Sequence, residues 1–170
     1  MTIHSSHPFA DPEPDPARRL RGRLGTAVTL WTAGEGADRA GLTVTSLMVA
    51  LGPTPSLLAL LDPDSDLLAE LRESRRAVVQ LLTWEDRQLA ESFAGTAPAP
   101  GGPFRQAEFA TTPYGPLLAH ATTHALVSLA AEREVGWSVE VEAVLDSITV
   151  GDSDDRPLLH RRGRFLALPE

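Results

Sequence analysis

The sequence contains no cysteine. This absence excludes disulfide bonds, thiolate metal sites and a cysteine nucleophile. The chain also lacks any apolar run approaching the roughly 20 residues of a membrane-spanning helix, and its N-terminus has no basic region followed by an apolar stretch. We therefore expect a cytoplasmic protein without a membrane partner.

Positive charge is scarce. Fifteen basic residues face 23 acidic ones, which gives a formal net charge of −8. A broad nucleic-acid surface needs a basic face, so we expect no nucleic-acid partner. The arginines nevertheless fall into two clusters, which we interpret as solvated faces or intersubunit ion pairs: Arg18, Arg19, Arg21 and Arg23 in one, and Arg161, Arg162 and Arg164 in the other.

The length of 170 residues suits one ordinary domain with a real core. Residues 1–16 carry four prolines among Asp, Ser and His, a composition that cannot offset its ordering entropy by burial. We predict a flexible tail over 1–16 and a single domain over 17–170, entered through a short helix over 17–23.

Short β-branched and apolar segments dominate the domain and are bounded by Gly and Pro. The predicted strands cover 26–31, 42–49, 56–61, 77–82, 117–123, 125–131, 138–150 and 164–168. No regular alternation of strand and helix accompanies them. This pattern predicts an antiparallel barrel rather than a doubly wound sheet.

Two short helices interrupt the strands. Asp66 is placed to cap a helix over 67–72. Thr83 and Asp86 have the spacing of a capping box, and Gly95 stands where a left-handed helix end belongs. A surface loop is predicted over 98–103, where Pro and Gly concentrate.

The segment 41–46 concentrates hydroxyl groups at the start of a strand. Thr43, Thr45 and Ser46 lie within four residues, and strand alternation sends Thr43 and Thr45 to one side and Val44 and Ser46 to the other. Hydroxyls and backbone N–H groups there are suited to bind the polar edge of a flavin. The alternative is that these β-branched residues simply fill a strand.

The order of motifs along the chain decides between these interpretations. Gly41-Leu42-Thr43-x-x-Ser46 precedes an apolar strand, the turn 62–65, the helical segment 88–95 and finally Pro157-Leu158-Leu159-His160-Arg161-Arg162-Gly163-Arg164-Phe165. This series resembles the flavin reductase-like family of FMN-binding split barrels over about residues 24–168.

The resemblance implies a mainly β fold: a six-stranded antiparallel split barrel of Greek-key type with a few short helices. It implies a homodimer that binds FMN or FAD in a groove near the subunit interface. NADH or NADPH would be the co-substrate, and reduced flavin would reach a partner monooxygenase by diffusion.

The same resemblance assigns binding residues. The cofactor-binding residues that it implies are Thr43, Val44, Thr45, Ser46, Asp64, Ser65, Leu67, Leu68, Arg87 and Arg164. Ser65 and the first N–H groups of the following helix would hold the flavin phosphate. Because Asp62, Asp64 and Asp66 make that turn acidic, Arg87 or an arginine of 161–164 would have to compensate.

One departure concerns nicotinamide. Many family members carry Gly-Asp-His where this chain has Gly136-Trp137-Ser138. We expect no catalytic side chain, since the cofactors carry the chemistry. Trp137 could offer nicotinamide a stacking face, and His160 could contact flavin or nicotinamide, although we favour the alternative that His160 is simply an exposed strand histidine. The departure keeps two alternatives open: a flavin-binding or haem-binding protein without nicotinamide turnover, and an enzyme whose permanently bound flavin acts on another substrate.

Other motifs predict no further chemistry. His120 and His124 are four residues apart, but the segment reads as a strand and lacks an acidic partner, so we expect no metal site. No Gly-x-Ser-x-Gly elbow surrounds Ser128 or Ser138, which argues against a serine nucleophile.

Overall fold

A computed structural model describes residues 15–152 and 156–168. Its three helices are α1 (Pro16–Arg23), α2 (Asp66–Ser74) and α3 (Arg87–Phe93). Nearly all of the predicted tail lies outside the described residues; Asp15 caps α1, and Pro16 is the first residue of that helix. None of the described helices is long and apolar enough to cross a membrane.

Twelve strands account for most of the remaining chain. They are β1 (Thr26–Ala27), β2 (Thr29–Ala33), β3 (Ala40–Val44), β4 (Leu47–Ala50), β5 (Ser56–Leu61), β6 (Arg76–Leu81), β7 (Phe109–Thr112), β8 (Gly115–Leu118), β9 (His124–Val135), β10 (Ser138–Thr149), β11 (Leu158–Arg161) and β12 (Arg164–Ala167). The mainly β, antiparallel prediction is confirmed, although the main sheet has seven strands rather than six.

The seven-stranded sheet is curled into an open barrel. Its order is β3-β2-β6-β9-β10-β5-β4, so β3 and β4 form its two edges. Only Thr45 and Ser46 separate those strands in sequence, and so short a link spans less than about 10 Å. The two edges of the sheet must therefore approach each other at residues 45–46.

The core has two parts because β2 is buried on both faces. Trp31 and Val44 belong to the inner cluster, inside the curled sheet, together with Leu67, Leu68 and Leu71 of α2. The outer cluster contains Leu30 and is covered by α3, β8 and β11. Burial on both faces explains why β2 shows no alternation of apolar and polar residues and why its two threonines, Thr29 and Thr32, are also buried.

The structure departs from the predicted strands at several places. Residues 119–123 form turns instead of continuing a strand, while β7 and β11 had no predicted counterpart. The β7–β8 hairpin is held on the outer face of the barrel by Gln80, whose buried amide accepts from Leu118 N and donates to Thr32 Oγ1. This tertiary anchoring has no local sequence signal.

Candidate functional site

Three segments meet at the end of β5. Ser46 O accepts a hydrogen bond from Leu60 N at 2.9 Å, which places residues 45–46 beside that end. The turn 62–65 follows directly. On the other side, Leu61 pairs with Val139, close to the tip of the β9–β10 hairpin. The structure thus brings three features to one end of the barrel: the segment 43–46, which we call the hydroxyl segment, the turn 62–65, and the tip of the β9–β10 hairpin.

The first half of the hydroxyl segment is built into the fold. Thr43 Oγ1 donates to the Ala90 carbonyl of α3 at 2.6 Å. Val44 is 3% exposed and packs in the inner core. Neither side chain is free in the monomer to line a groove, so the prediction that residues 43–46 line a flavin ring rests, for these two residues, on their backbone groups.

The second half of the segment is open. Thr45 and Ser46 lie between β3 and β4, outside the regular ladders, and their hydroxyls have no hydrogen-bond partner among the described residues. Thr45 is half-buried and Ser46 is exposed. These two hydroxyls can each donate and accept, as the carbonyl and N–H edge of a planar heterocycle requires.

The turn 62–65 is ordered by its own hydrogen bonds. Asp64 N donates to Asp62 Oδ1 at 2.9 Å, and Ser65 Oγ donates to Asp62 O at 2.8 Å. Ser65 Oγ also accepts from Leu68 N, so Ser65, rather than the predicted Asp66, caps α2. A serine oxygen is well suited to this position because it satisfies an otherwise unpaired helix N–H.

Leu67 and Leu68 cannot present their side chains to a ligand in this turn. Both are completely buried in the inner core. Any contact that they make with a cofactor comes from the backbone, and Leu68 N is already bonded to Ser65 Oγ. The side chains of Leu67 and Leu68 have a packing role, and the prediction that the two residues contact a cofactor rests on their backbone groups.

The electrostatics of the turn disfavour a phosphate. Asp62, Asp64 and Asp66 are exposed, and none takes part in an ion pair within the part of the chain that the structure describes. Arg87, one proposed source of compensation, instead stacks on Trp84 at 4.8 Å and donates to the Trp84 carbonyl. A bound phosphate would need cations from elsewhere.

Trp137 occupies the tip of the β9–β10 hairpin. Its side chain is 76% exposed, and Gly136 before it adopts the positive φ of 58° that a tight hairpin turn requires. An exposed indole at this tip can offer a stacking face. Ser138 begins β10 directly after it.

His160 and Arg164 lie on a separate three-stranded sheet, β1-β11-β12. His160 pairs with Thr26 and with Phe165, whose ring it meets edge-on at 5.7 Å. Burial and the nearby Arg21 guanidinium lower the pKa of His160, which favours its neutral form. Arg164 is exposed and stands opposite Arg161.

His120 and His124, whose spacing raised the question of a metal site, lie in different elements of the structure. His120 lies after β8, where its Nε2 is 2.7 Å from Oδ1 of the buried Asp86. His124 begins β9. The prediction that His120 lies in a strand without an acidic partner is wrong, because Asp86 reaches it from the capping box. No group of three or more His, Asp or Glu side chains in residues 15–152 and 156–168 is arranged to hold a metal ion.

Asp86 has two bonding partners, of which only Thr83 could be predicted from the sequence. Its Oδ2 accepts from Thr83 N and Thr83 Oγ1, both at 2.9 Å, which confirms the predicted capping box. The spacing of Thr83 and Asp86 was enough to find that pair. The additional bond to His120 joins residues 34 positions apart and has no spacing signal.

Comparison with known proteins agrees with this architecture. Residues 21–169 match the family model described as flavin reductase like domain. No curated protein has a sequence that matches this chain.

Solved structures share the fold across nearly the whole chain. The NADH:FAD oxidoreductase of Streptomyces globisporus C-1027 superposes with a TM-score of 0.81 at 23% identity, covering 92% of this chain and 96% of its own. A homolog of nitrilotriacetate monooxygenase component B from Mycobacterium thermoresistibile gives 0.80 at 20% identity, covering 90% and 85%. The flavin reductase component of a bacterial two-component tryptophan halogenase gives 0.77 at 22% identity, covering 91% and 99%.

The TM-scores show a common fold, and the family model covers most of the sequence. This chain therefore belongs to the flavin reductase like domain family.

Proposed function

We propose that this protein is an NAD(P)H:flavin oxidoreductase that reduces FMN or FAD and supplies reduced flavin to a partner monooxygenase. The observation that carries the proposal is the family match over residues 21–169. It is supported by the hydroxyls of Thr45 and Ser46, which have no hydrogen-bond partner among the described residues and lie between the edge strands β3 and β4.

The residues at this end of the barrel fit a flavin ring. Thr45 and Ser46 would donate to, or accept from, its pyrimidine edge, and the exposed Trp137 would offer a face for nicotinamide. Flavin would supply the hydride-accepting chemistry, while the protein orients the two rings and excludes water. No acid–base side chain is required for that task.

The phosphate end of the cofactor fits less well at the turn 62–65. Ser65 Oγ already has two hydrogen-bond partners, and three exposed carboxylates surround it. We therefore propose that Asp64, Ser65 and the backbone of 67–68 contact a sugar or ring edge, and that arginines provide the charge for phosphate. Arg164 remains available for this role, because it has no ion pair in the described chain.

We also propose a homodimer. The apolar runs 56–61 and 77–82 have a composition that suits an interface, but most of their side chains are core residues. The structure instead exposes an apolar set on the edge strand β4 and just after it: Met48 at 69%, Val49 at 57% and Leu51 at 89%. Covering such a patch is a common reason for two copies to associate.

The test is a turnover assay. Purified protein is mixed with NADH or NADPH and excess FMN or FAD, and oxidation is followed at the nicotinamide absorbance band. Continuous turnover that depends on added flavin is the expected result. Absence of turnover with every nicotinamide and flavin pair would contradict the proposal.

A second candidate is a flavin-binding or haem-binding protein without nicotinamide turnover. It is favoured by Trp137-Ser138, where many family members carry Asp-His. Under this candidate no nicotinamide is consumed, and a flavin or haem absorbance spectrum survives desalting. A flavin that survives desalting and is reduced by a separate organic substrate would instead indicate an enzyme with permanently bound flavin.

A further inference from the structure

The structure joins the two arginine clusters into one surface. Arg162 N donates to Gly22 O at 2.8 Å, and Arg161 Nε donates to Arg23 O at 3.1 Å, so the end of α1 is fastened to the β11–β12 hairpin. We call this surface the arginine corner; its members are Arg18, Arg19, Arg21, Arg23, Arg161, Arg162 and Arg164, all exposed.

The arginine corner has no internal charge compensation. None of its seven side chains forms an ion pair in the described part of the chain. This holds although the whole protein carries a net charge of −8. Nearly half of its 15 basic residues are thus collected at one place, which raises the local concentration of anions there.

Two arginines of the corner, Arg161 and Arg164, lie on neighbouring strands of the hairpin. Arg161 and Arg164 are directly opposed in the β11–β12 register, where Cβ atoms lie about 5 Å apart and like charges destabilise the pair. A bound anion between the two guanidiniums would remove that repulsion. Arginine is also the side chain whose planar fork suits phosphate oxygens.

The turn of the same hairpin has an unusual residue for its backbone conformation. Arg162 and Gly163 have φ angles of 55° and 74°, the pair of positive values that defines a tight hairpin turn. Asn or Gly is the usual residue at the first of these positions, and arginine there is strained. Local stability therefore gives no reason for a third arginine at this tip.

The corner adjoins the end of the barrel that holds the open hydroxyls. Thr26 of β1 pairs with His160, and Val28 N donates to Leu158 O. The next residue, Thr29, pairs with Val44, which directly precedes Thr45. A nicotinamide dinucleotide whose ring stacks on a flavin held at Thr45 and Ser46 could extend its phosphates toward the corner.

We infer that the arginine corner binds the adenosine-phosphate half of a dinucleotide and that its charge favours NADPH over NADH. The inference rests on the proposed function for the identity of the dinucleotide. A 2′-phosphate adds up to about two negative charges at neutral pH. Seven guanidiniums that form no ion pair with any described residue therefore attract the phosphorylated nucleotide more strongly than its unphosphorylated counterpart.

Direct binding tests the inference without requiring turnover. Adenosine 2′,5′-bisphosphate, 5′-AMP and FAD are titrated separately into the full chain by isothermal titration calorimetry at near-physiological salt. Bisphosphate is expected to bind at least about tenfold more tightly than 5′-AMP, which corresponds to about 1.4 kcal/mol. The bisphosphate titration is repeated with FAD already bound. Loss of bisphosphate binding under that condition would assign the corner to the flavin dinucleotide and overturn the preference for NADPH.

Variants locate the site. The double variant R161Q/R164Q is expected to weaken bisphosphate binding about tenfold or more, while R105Q, which alters an exposed arginine outside the corner, should leave it unchanged. R162N suits the turn better and should fold at least as well, yet bind bisphosphate more weakly. Equal binding of 5′-AMP and bisphosphate, or equal losses in R105Q and the corner variants, would overturn the inference.

Turnover separates this inference from the proposed function. If bisphosphate binds at the corner but no nicotinamide is oxidised, the proposed reductase activity fails and the nucleotide site stands. If turnover occurs with equal kcat/KM for NADPH and NADH, and the corner variants leave both values unchanged, the reductase activity stands and the inference about the corner is overturned.

Discussion

The two halves of the segment 43–46 have opposite structural roles. Thr43 and Val44 are fixed, one by a hydrogen bond to α3 and the other by the inner core. Thr45 and Ser46 are adjacent to them in sequence but leave the β-ladder and keep their hydroxyls free. A single hydroxyl-rich motif can therefore contain both a structural anchor and a ligand surface, and only the tertiary contacts distinguish them.

The largest effect should come from placing a charge in each half. Val44→Asp puts an unpaired carboxylate in the core and should destabilise the protein by more than about 4 kcal/mol. Ser46→Asp, two residues away and exposed, should change the free energy of unfolding by less than about 0.5 kcal/mol. Urea denaturation measures both. Comparable losses in the two variants would contradict the contrast between the halves.

The two threonines provide a smaller and more conservative comparison. Thr43→Val removes the hydroxyl that donates to Ala90 O and should cost about 1 kcal/mol of stability, the net contribution of one hydrogen bond, while Ala90 O keeps its bond from Ala94 N. Thr45→Val removes a free hydroxyl and should leave stability nearly unchanged. Thermal and urea unfolding of the two variants give the comparison, and a greater loss in Thr45→Val would reverse our assignment of the roles.

The positive charge of the arginine corner should affect how the stability of the protein depends on pH. Burial and Arg21 lower the folded-state pKa of His160. The unfolded chain therefore binds the proton more readily, so stability contributed by neutral His160 is present above about pH 6.5 and is lost as the pH falls below it. His160→Gln should flatten this part of the stability curve.

NMR titration checks the cause of that shift. In Arg21→Gln the pKa of His160 should rise, because one neighbouring positive charge is removed, while in Arg105→Gln it should stay unchanged. An unchanged pKa in Arg21→Gln would leave burial as the sole cause.

Much of the fold was predictable because its signals are local. The apolar run 56–61 predicts β5 with correct limits, and the Thr83–Asp86 spacing predicts the capping box. The predicted strand 42–49 was correct in composition but missed the break at Thr45–Ser46. The break arises from closure of the barrel: β3, before the break, pairs with β2, whereas β4, after it, pairs with β5.

The candidate site was only partly predictable. The motif order indicated that residues 43–46 and 62–65 belong together, and the structure places the second half of the first segment beside the turn. Burial of Leu67 and Leu68 depends on how α2 packs into the barrel, and the union of the two arginine clusters depends on hydrogen bonds between residues about 140 positions apart. Neither contact leaves a periodic signal in the sequence.

The central claim is that flavin binds at the open half of the segment. Flavin fluorescence titration of the wild type, Thr45→Val/Ser46→Ala and Thr43→Val tests it most directly. We expect the double variant to weaken FMN or FAD binding about tenfold, as the loss of one or two net hydrogen bonds predicts, and Thr43→Val to bind as the wild type does. Unchanged affinity in the double variant, with weakened binding in Thr43→Val, would contradict the account.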